Sequence, residues 1–279
     1  MLERPGQAIF LEDSSPRGLE RITGEGSMLF RERLKTGKAL LGPFISLCHP
    51  ALLEITGLAG YDFAIIDTEH GEISTDRALD MIRAAQLSGV SPIIRVYDNH
   101  PELIGKALDM GAEGVQIPMV CDKAGAVAAV SAAKFSPTGS RGCSRFVRAG
   151  RYSAMPKDEF FGASNDRTAV LVQVEGKEGL GNLEEILTVP GIDVLFIGPY
   201  DLSASLGVPG QVEHPLLLEA MDKTLAQAKK AGVALGFFVD DIPTAIKWKK
   251  RGIRYISFSA DVSMIYDAFA KNVQDFQAG

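Results

Sequence analysis

Cysteine is scarce in this chain. The three residues Cys48, Cys121 and Cys143 are odd in number and far apart among 279, which suggests neither a disulfide framework nor a thiolate metal cage and fits a reducing cytoplasm. Long apolar runs are missing as well. No stretch approaches the roughly 20 residues of a membrane span, and no basic segment followed by an apolar core opens the chain, so neither a membrane-bound nor a secreted protein is expected. Basic charge is in deficit, with 29 Lys and Arg against 35 Asp and Glu and no basic run. That balance argues against a nucleic-acid surface, and a bound anion would need a local positive site. No strand-like run leads into a G-x-G-x-x-G turn, which removes the fingerprint of dinucleotide binding.

What is present is ordinary for a globular protein with a full core: 46% apolar and 23% charged residues. Residues 1–27, rich in Gly, Pro, Ser and charge, read as a mobile arm, and Met28 is a candidate natural start. Residues 28–279 read as one domain. In it, short apolar runs alternate with helical segments: "ALLGPFISLC", "DFAIIDTEH", "SPIIRVYD", "GVQIPMV", "AVLVQVEG", "DVLFIGPYD", "ALGFFVD" and "YISFSAD". Between the second and third, Ala78, Met81, Ile82 and Ala85 follow the rhythm of one buried helix face, with Ser74 or Thr75 as cap and Gly89 as stop. Continuous apolar strands separated by amphipathic helices imply a parallel sheet covered by helices. Eight such units predict an α/β fold of the (β/α)8 TIM-barrel type, with the doubly wound open sheet as the alternative. The polar, Gly-rich segment 135–166 interrupts the alternation and reads as a long active-site loop.

In a barrel the chemistry sits where strands end. The ends of these runs carry Asp67 and His70, then Arg95, then Gln173 and Glu175, then Asp201. Gln173 and Glu175, two apart, share a strand face and point together into the mouth. Asp201 follows Gly198-Pro199, whose turn places backbone near the opening. Two carboxylates with no cysteine and one histidine nearby describe a hard-cation site suited to Mg2+ or Mn2+, beside which Arg95 would receive an anionic substrate. No apolar run contains a lysine, which disfavours a Schiff base. Each residue also has a plainer role open to it. Asp201 is placed to cap "LSASL", Arg95 to pair with a rim acid, Asp109 to form a packing ion pair, and Glu69 and Glu72 to be solvated or structural. His49, His100 and His214 receive no catalytic role.

The segments "YDFAIIDTEHG", "RVYDNHPELIGKALDMGAEGVQIPMV", "QVEGKEGLGNLEEI" and "GIDVLFIGPYDLSASLGVPGQVEHP" resemble, in order and spacing, those of the HpcH/HpaI family of class II pyruvate aldolases. The resemblance implies a metal-dependent aldolase that reversibly cleaves a 4-hydroxy-2-oxo acid to pyruvate, or a similar 2-oxo acid, and an aldehyde. It implies that Glu175 and Asp201 bind a divalent ion (Mg2+, Mn2+ or Co2+), that Arg95 steadies the enolate, and that His70 paired with Asp67 handles protons. It further implies that Gln173, Gly198 and Pro199 contact substrate beside the metal, and that Asp109 lies close to the site. Arg95 is expected to matter for turnover far more than for folding. The C-terminal stretch carries Met264, Ile265, Phe269, Val273 and Phe276 in a broad apolar stripe. The resemblance implies a homo-oligomer, hexamer or trimer, in which that helix is exchanged between subunits. Two other readings stay open: an acyl-CoA lyase of the citrate-lyase-beta type, for which Arg141, Arg145, Arg148 and Arg151 would supply a basic groove, and a non-catalytic 2-oxo acid binding protein.

Overall fold

The computed structural model describes residues 28–279; the arm expected at 1–27 lies outside the described residues. The elements run α1 (Phe30–Lys35), β1 (Leu40–Ile45), α2 (Ala51–Leu58), β2 (Phe63–Asp67), α3 (Thr75–Leu87), β3 (Ser91–Arg95), α4 (Pro101–Asp109), β4 (Gly114–Ile117), α5 (Lys123–Ala133) and a 3-10 stretch (Arg148–Ser153). They continue with α6 (Lys157–Arg167), β5 (Ala169–Val174), α7 (Lys177–Gly181), α8 (Leu183–Ile186), β6 (Val194–Ile197), α9 (Pro199–Ser205), α10 (Pro215–Ala231), β7 (Ala234–Val239), α11 (Ile242–Arg251), β8 (Tyr255–Ala260) and α12 (Asp261–Ala278). The strands are all parallel and close in chain order, β1 pairing with β8. The fold is the (β/α)8 barrel, and the open sheet is ruled out by that closure. Among the described residues no helix is long and apolar enough to cross a membrane.

Strand parity builds two cores. Phe63, Ile65, Ile93, Leu171, Val194 and Phe196 point inward and fill the barrel with Leu40, Phe44 and Tyr255. Ala64, Ile66, Ile94, Val115, Val172 and Leu195 point outward and meet the helices, among them Ala78, Met81, Ile82 and Ala85 of α3. Because side chains alternate along a strand, the inward rows of β2, β3 and β5 continue upward to Asp67, Arg95 and Gln173. The apolar interior therefore ends in a polar layer at the carboxyl ends of the strands.

The opposite end is plugged by α1. The Phe30 ring meets Phe63 and Tyr255 edge-on with centroids 5.8 Å away in each case. The Phe30 N–H donates to Glu113 Oε2 at 2.9 Å, Arg31 pairs with Asp193 at 2.7 Å, and Arg33 pairs with Asp62 at 2.6 Å. Asp62, Glu113 and Asp193 each stand just before a strand, so α1 is tied to the starts of β2, β4 and β6.

Segment 135–166 corrects an expectation. It joins a helix to a strand, so it lies at the plugged end and not at the mouth, and it holds α6 as well as loop. Arg31 Nη1 reaches the Asn165 and Asp166 carbonyls at 3.2 and 3.0 Å. The buried Lys134 ammonium donates to the Thr168 and Asn165 carbonyls at 2.6 and 2.8 Å, and burial lowers its pKa to about 8. These contacts stitch the segment beneath the barrel.

Only Asp261 of α12 is buried. Its carboxylate accepts the Ser46 and Leu47 N–H groups, each at 2.9 Å, which pins the first turn of the helix to the loop after β1. Beyond that turn the helix leaves Tyr266, Phe269, Val273 and Phe276 exposed.

Candidate active site

At the mouth, the register of β2 against β3 sets Asp67 opposite Arg95. The guanidinium grips Asp67 with two bonds, Nε to Oδ1 at 2.8 Å and Nη2 to Oδ2 at 2.6 Å. Both side chains are nearly buried, and the guanidinium lies 4.7 Å above the centre of the Phe44 ring. Nη1 stands 3.0 Å from Glu69 Oε2, a buried oxygen that has no aligned hydrogen bond. The fork geometry holds the guanidinium plane fixed and leaves second hydrogens on Nη1 and Nη2 for an incoming oxygen.

Two expectations change here. His70 is exposed, and its backbone N–H, not its imidazole, donates to Asp67 Oδ1 at 3.3 Å. The Asp67–His70 side-chain dyad does not form, because Arg95 takes both carboxylate oxygens. Glu69, read as solvated or structural, is not solvated but pairs with Arg95 at the mouth, and burial pushes its carboxyl up from the ordinary value while Arg95 pulls it back. The parity that singled out Gln173 and Glu175 also links Asp67 and Glu69, two apart, and would have marked it.

Glu175 and Asp201 approach each other across Gly198. A Cβ on Gly198 would lie 3.5 Å from Glu175 Oε2 and 3.5 Å from Asp201 Oδ2, so both oxygens overlook one hollow that the absent side chain leaves open. Glu175 Oε1 accepts the Met119 N–H at 2.9 Å, which leaves Oε2 for the hollow. Burial pushes the Glu175 carboxyl up; the Met119 N–H and the Gln173 amide pull it down, and the Asp201 charge adds to the rise. Asp201 sits in the first turn of α9, with Gly198 at the N-cap. Pro199 has no N–H and contributes surface only.

The cavity above these groups measures about 210 Å3 and is walled by Phe44, Asp67, Arg95, Gln173, Pro199 and Phe238, among others. Tyr200 stands at its edge, where a hydrogen bond to Asp240 pushes the phenol up to about 12 and keeps it a donor. A larger hollow of about 500 Å3 lies at the plugged end, lined by Arg148, Tyr152 and Phe160, and contains none of the residues expected at the site. Asp109 also lies at that end, at the foot of α4, where it pairs with the buried Arg141 guanidinium at 2.6 Å. Within one chain it is not brought to the mouth. Arg148 spends its donors on the Met110 carbonyl and Gln86, and Arg145 on the Ser153 carbonyl, so the arginine cluster makes no groove beside Asp201. Phe44, Tyr200 and the Met119 N–H were not legible as site elements, since an aromatic in a strand and a backbone donor carry no sequence signature.

Among the described residues no three His, Cys, Asp or Glu side chains form a ready-made metal cage. Two carboxylates fit a Mg2+-type ion nonetheless, because such ions keep several waters and accept substrate oxygens. The charge balance agrees with a cation there: Asp67, Glu69, Glu175 and Asp201 face one guanidinium.

Fold and mouth together give a β/α barrel whose candidate site sets paired carboxylates beside a clamped guanidinium. A family model described as HpcH/HpaI aldolase/citrate lyase matches residues 40–268, and the chain belongs to that family. It is 34% identical over 236 residues to a pyruvate aldolase of Rhizobium etli, covering 85% of this chain and 92% of that one. It is 34% identical over 254 residues to a 2-keto-3-deoxy-L-rhamnonate aldolase of Escherichia coli, covering 90% and 93%. The crystal structure of an HpcH/HpaI aldolase from Desulfitobacterium hafniense superposes with a TM-score of 0.85 at 30% identity, covering 90% of this chain and 97% of that one.

Proposed function

We propose that this chain is an aldolase that cleaves and forms the C3–C4 bond of 4-hydroxy-2-oxo acids, giving pyruvate or a similar 2-oxo acid and an aldehyde, with a divalent cation held between Glu175 and Asp201. The observation that carries this reading is the convergence of Glu175 Oε2 and Asp201 Oδ2 on the hollow over Gly198, in the same mouth as the fixed Arg95 guanidinium. In the cleavage direction the 4-hydroxyl loses its proton, the C3–C4 electron pair moves onto the 2-oxo group as an enolate, and the aldehyde leaves. Reprotonation at C3 completes the 2-oxo acid. When bound, the cation supplies Lewis-acid stabilisation of charge on the substrate oxygens. Arg95 offers its remaining N–H groups to the enolate oxygen, and Asp67 with Glu69 keeps that donor plane from turning. His70, exposed at the rim with Glu69 close by, carries the proton between solvent and substrate. Gln173 and the Phe44–Phe238 walls orient the 2-oxo acid and exclude water.

The test is release of pyruvate from a panel of 4-hydroxy-2-oxo acids with and without a terminal carboxylate. At least one member is expected to turn over. Borohydride added with pyruvate should leave every lysine unmodified, since no described strand contains one. A pyruvyl-lysine adduct in the mass spectrum, or no turnover across the panel, would overturn the reading. Turnover also excludes the non-catalytic binding protein. The acyl-CoA lyase reading loses the basic groove it relied on, because Arg141 and Arg148 are engaged at the plugged end.

Assembly belongs to the same proposal. The exposure of Phe269 at 67% and Phe276 at 87% supports packing of α12 on a neighbouring subunit in a hexamer or trimer. Light scattering is expected to give a multiple of 29.9 kDa, and a monomer mass would reject it. The three unpaired cysteines support a cytoplasmic location.

A further inference from the structure

Three polar side chains stand in a line across the barrel interior, among a core that is largely hydrocarbon. Tyr255 on β8 and Gln116 on β4 are each 0% exposed, and Gln173 on β5 is 2% exposed. The Tyr255 hydroxyl donates to Gln116 Oε1 at 3.2 Å, and Gln116 Nε2 donates to Gln173 Oε1 at 2.6 Å. The Gln173 amide lies beside the Glu175 carboxyl, two residues on, and pulls its pKa down. A buried amide is costly unless its partners are met, and leucine or isoleucine would fill these positions at less risk. The line has a direction as well. An amide has an oxygen end and a nitrogen end. Gln116 Nε2 engages the Gln173 oxygen, which turns the Gln173 N–H end toward Glu175. The phenol engages the Gln116 oxygen in turn, which fixes the Gln116 amide in the donating orientation. The reverse polarity would aim the Gln173 oxygen at an anionic Glu175.

We infer that Tyr255 and Gln116 are positioning residues for Glu175: together they lock the Gln173 amide so that it holds one rotamer of the carboxylate, with Oε2 facing the hollow over Gly198. The inference rests on the assignment of Glu175 as a metal ligand. Hydrogen-bond partners one step behind a ligand commonly contribute tenfold to a hundredfold in metal affinity. The phenol ring has a separate task, stacking on Phe63 with centroids 4.2 Å apart. Tyr255→Phe therefore removes the hydroxyl and leaves the ring in place.

The experiment measures Mn2+ affinity by the electron paramagnetic resonance signal of the free ion, on chelator-stripped full-length protein, with melting temperatures alongside. Gln116→Met, which keeps the volume and ends the line, is expected to weaken Mn2+ binding about tenfold to a hundredfold. Tyr255→Phe is expected to weaken it about three- to tenfold, the worth of one neutral hydrogen bond. Glu175→Gln and wild type are the references. If wild type binds Mn2+, Glu175→Gln does not, and both relay variants bind within twofold of wild type, the inference is overturned even where they melt lower. If Gln116→Met does not fold, Tyr255→Phe alone decides by the same limit. A wild type that binds no Mn2+ removes the metal assignment itself, and the relay with it.

Discussion

Stripping the protein with a chelator is expected to bring turnover to background, and Mg2+, Mn2+ or Co2+ is expected to restore it to unequal degrees. The inequality follows from Lewis acidity and preferred geometry, which differ among the three ions, while the two carboxylates and the hollow over Gly198 stay the same. Glu175→Ala and Asp201→Ala should each reproduce the chelated state, lowering kcat/KM on the order of 10^3-fold or more, because several kcal/mol of charge stabilisation disappear with the ion. Added metal should rescue both variants poorly. The measurement is kcat/KM for pyruvate release as a function of metal concentration. Full activity in the chelated enzyme would end the metal reading.

Arg95→Lys is expected to lower kcat/KM by about 10^2- to 10^3-fold, the usual loss when one oriented oxyanion donor goes. The sequence alone led to the expectation that folding would be indifferent to this change. The structure revises it. Arg95 holds Asp67, itself 2% exposed, with two bonds and faces Glu69 with a third nitrogen. An ammonium keeps the charge but cannot grip both Asp67 oxygens and Glu69 in one plane, so stability should fall by about 1–3 kcal/mol. Denaturant titration and steady-state kinetics on the same preparation separate the two effects. An unchanged kcat/KM would remove Arg95 from the chemistry, and an unchanged unfolding midpoint would show that the clamp contributes nothing to the fold.

The barrel was legible because a parallel sheet buried on both faces writes itself as apolar runs, and every one of the eight contains an observed strand. The runs overshoot the strands, "GVQIPMV" passing β4 by three residues, because the chain stays apolar where it lines the mouth. Side-chain parity carried Gln173 and Glu175 to one face. Partnership did not follow from sequence in the same way. Asp67 was assigned to His70, three residues away, whereas its partner is Arg95, 28 residues away and adjacent only once β2 and β3 are in register. Segment 135–166 interrupts the alternation as expected, but it holds a helix as well as loop and lies at the other end of the barrel. Composition reports that a stretch is loop-like, and only its place between a helix and a strand reports which face it occupies. Asp109 was carried by resemblance, and in a single chain it sits with Arg141 beneath the barrel.

Met119 sits with φ at +55°, in the left-handed region where a side chain is disfavoured, and it is this backbone setting that delivers its N–H to Glu175. The conformation costs about 1–2 kcal/mol relative to one that suits an L-residue. Glycine would remove that cost. It would also give the loop after β4 the freedom to turn the N–H away and let Glu175 swing, because glycine visits both hands of the backbone about equally. Selection for heat tolerance and selection for turnover thus pull in opposite directions at this one position, and a stability screen blind to activity would favour the residue that loosens the site.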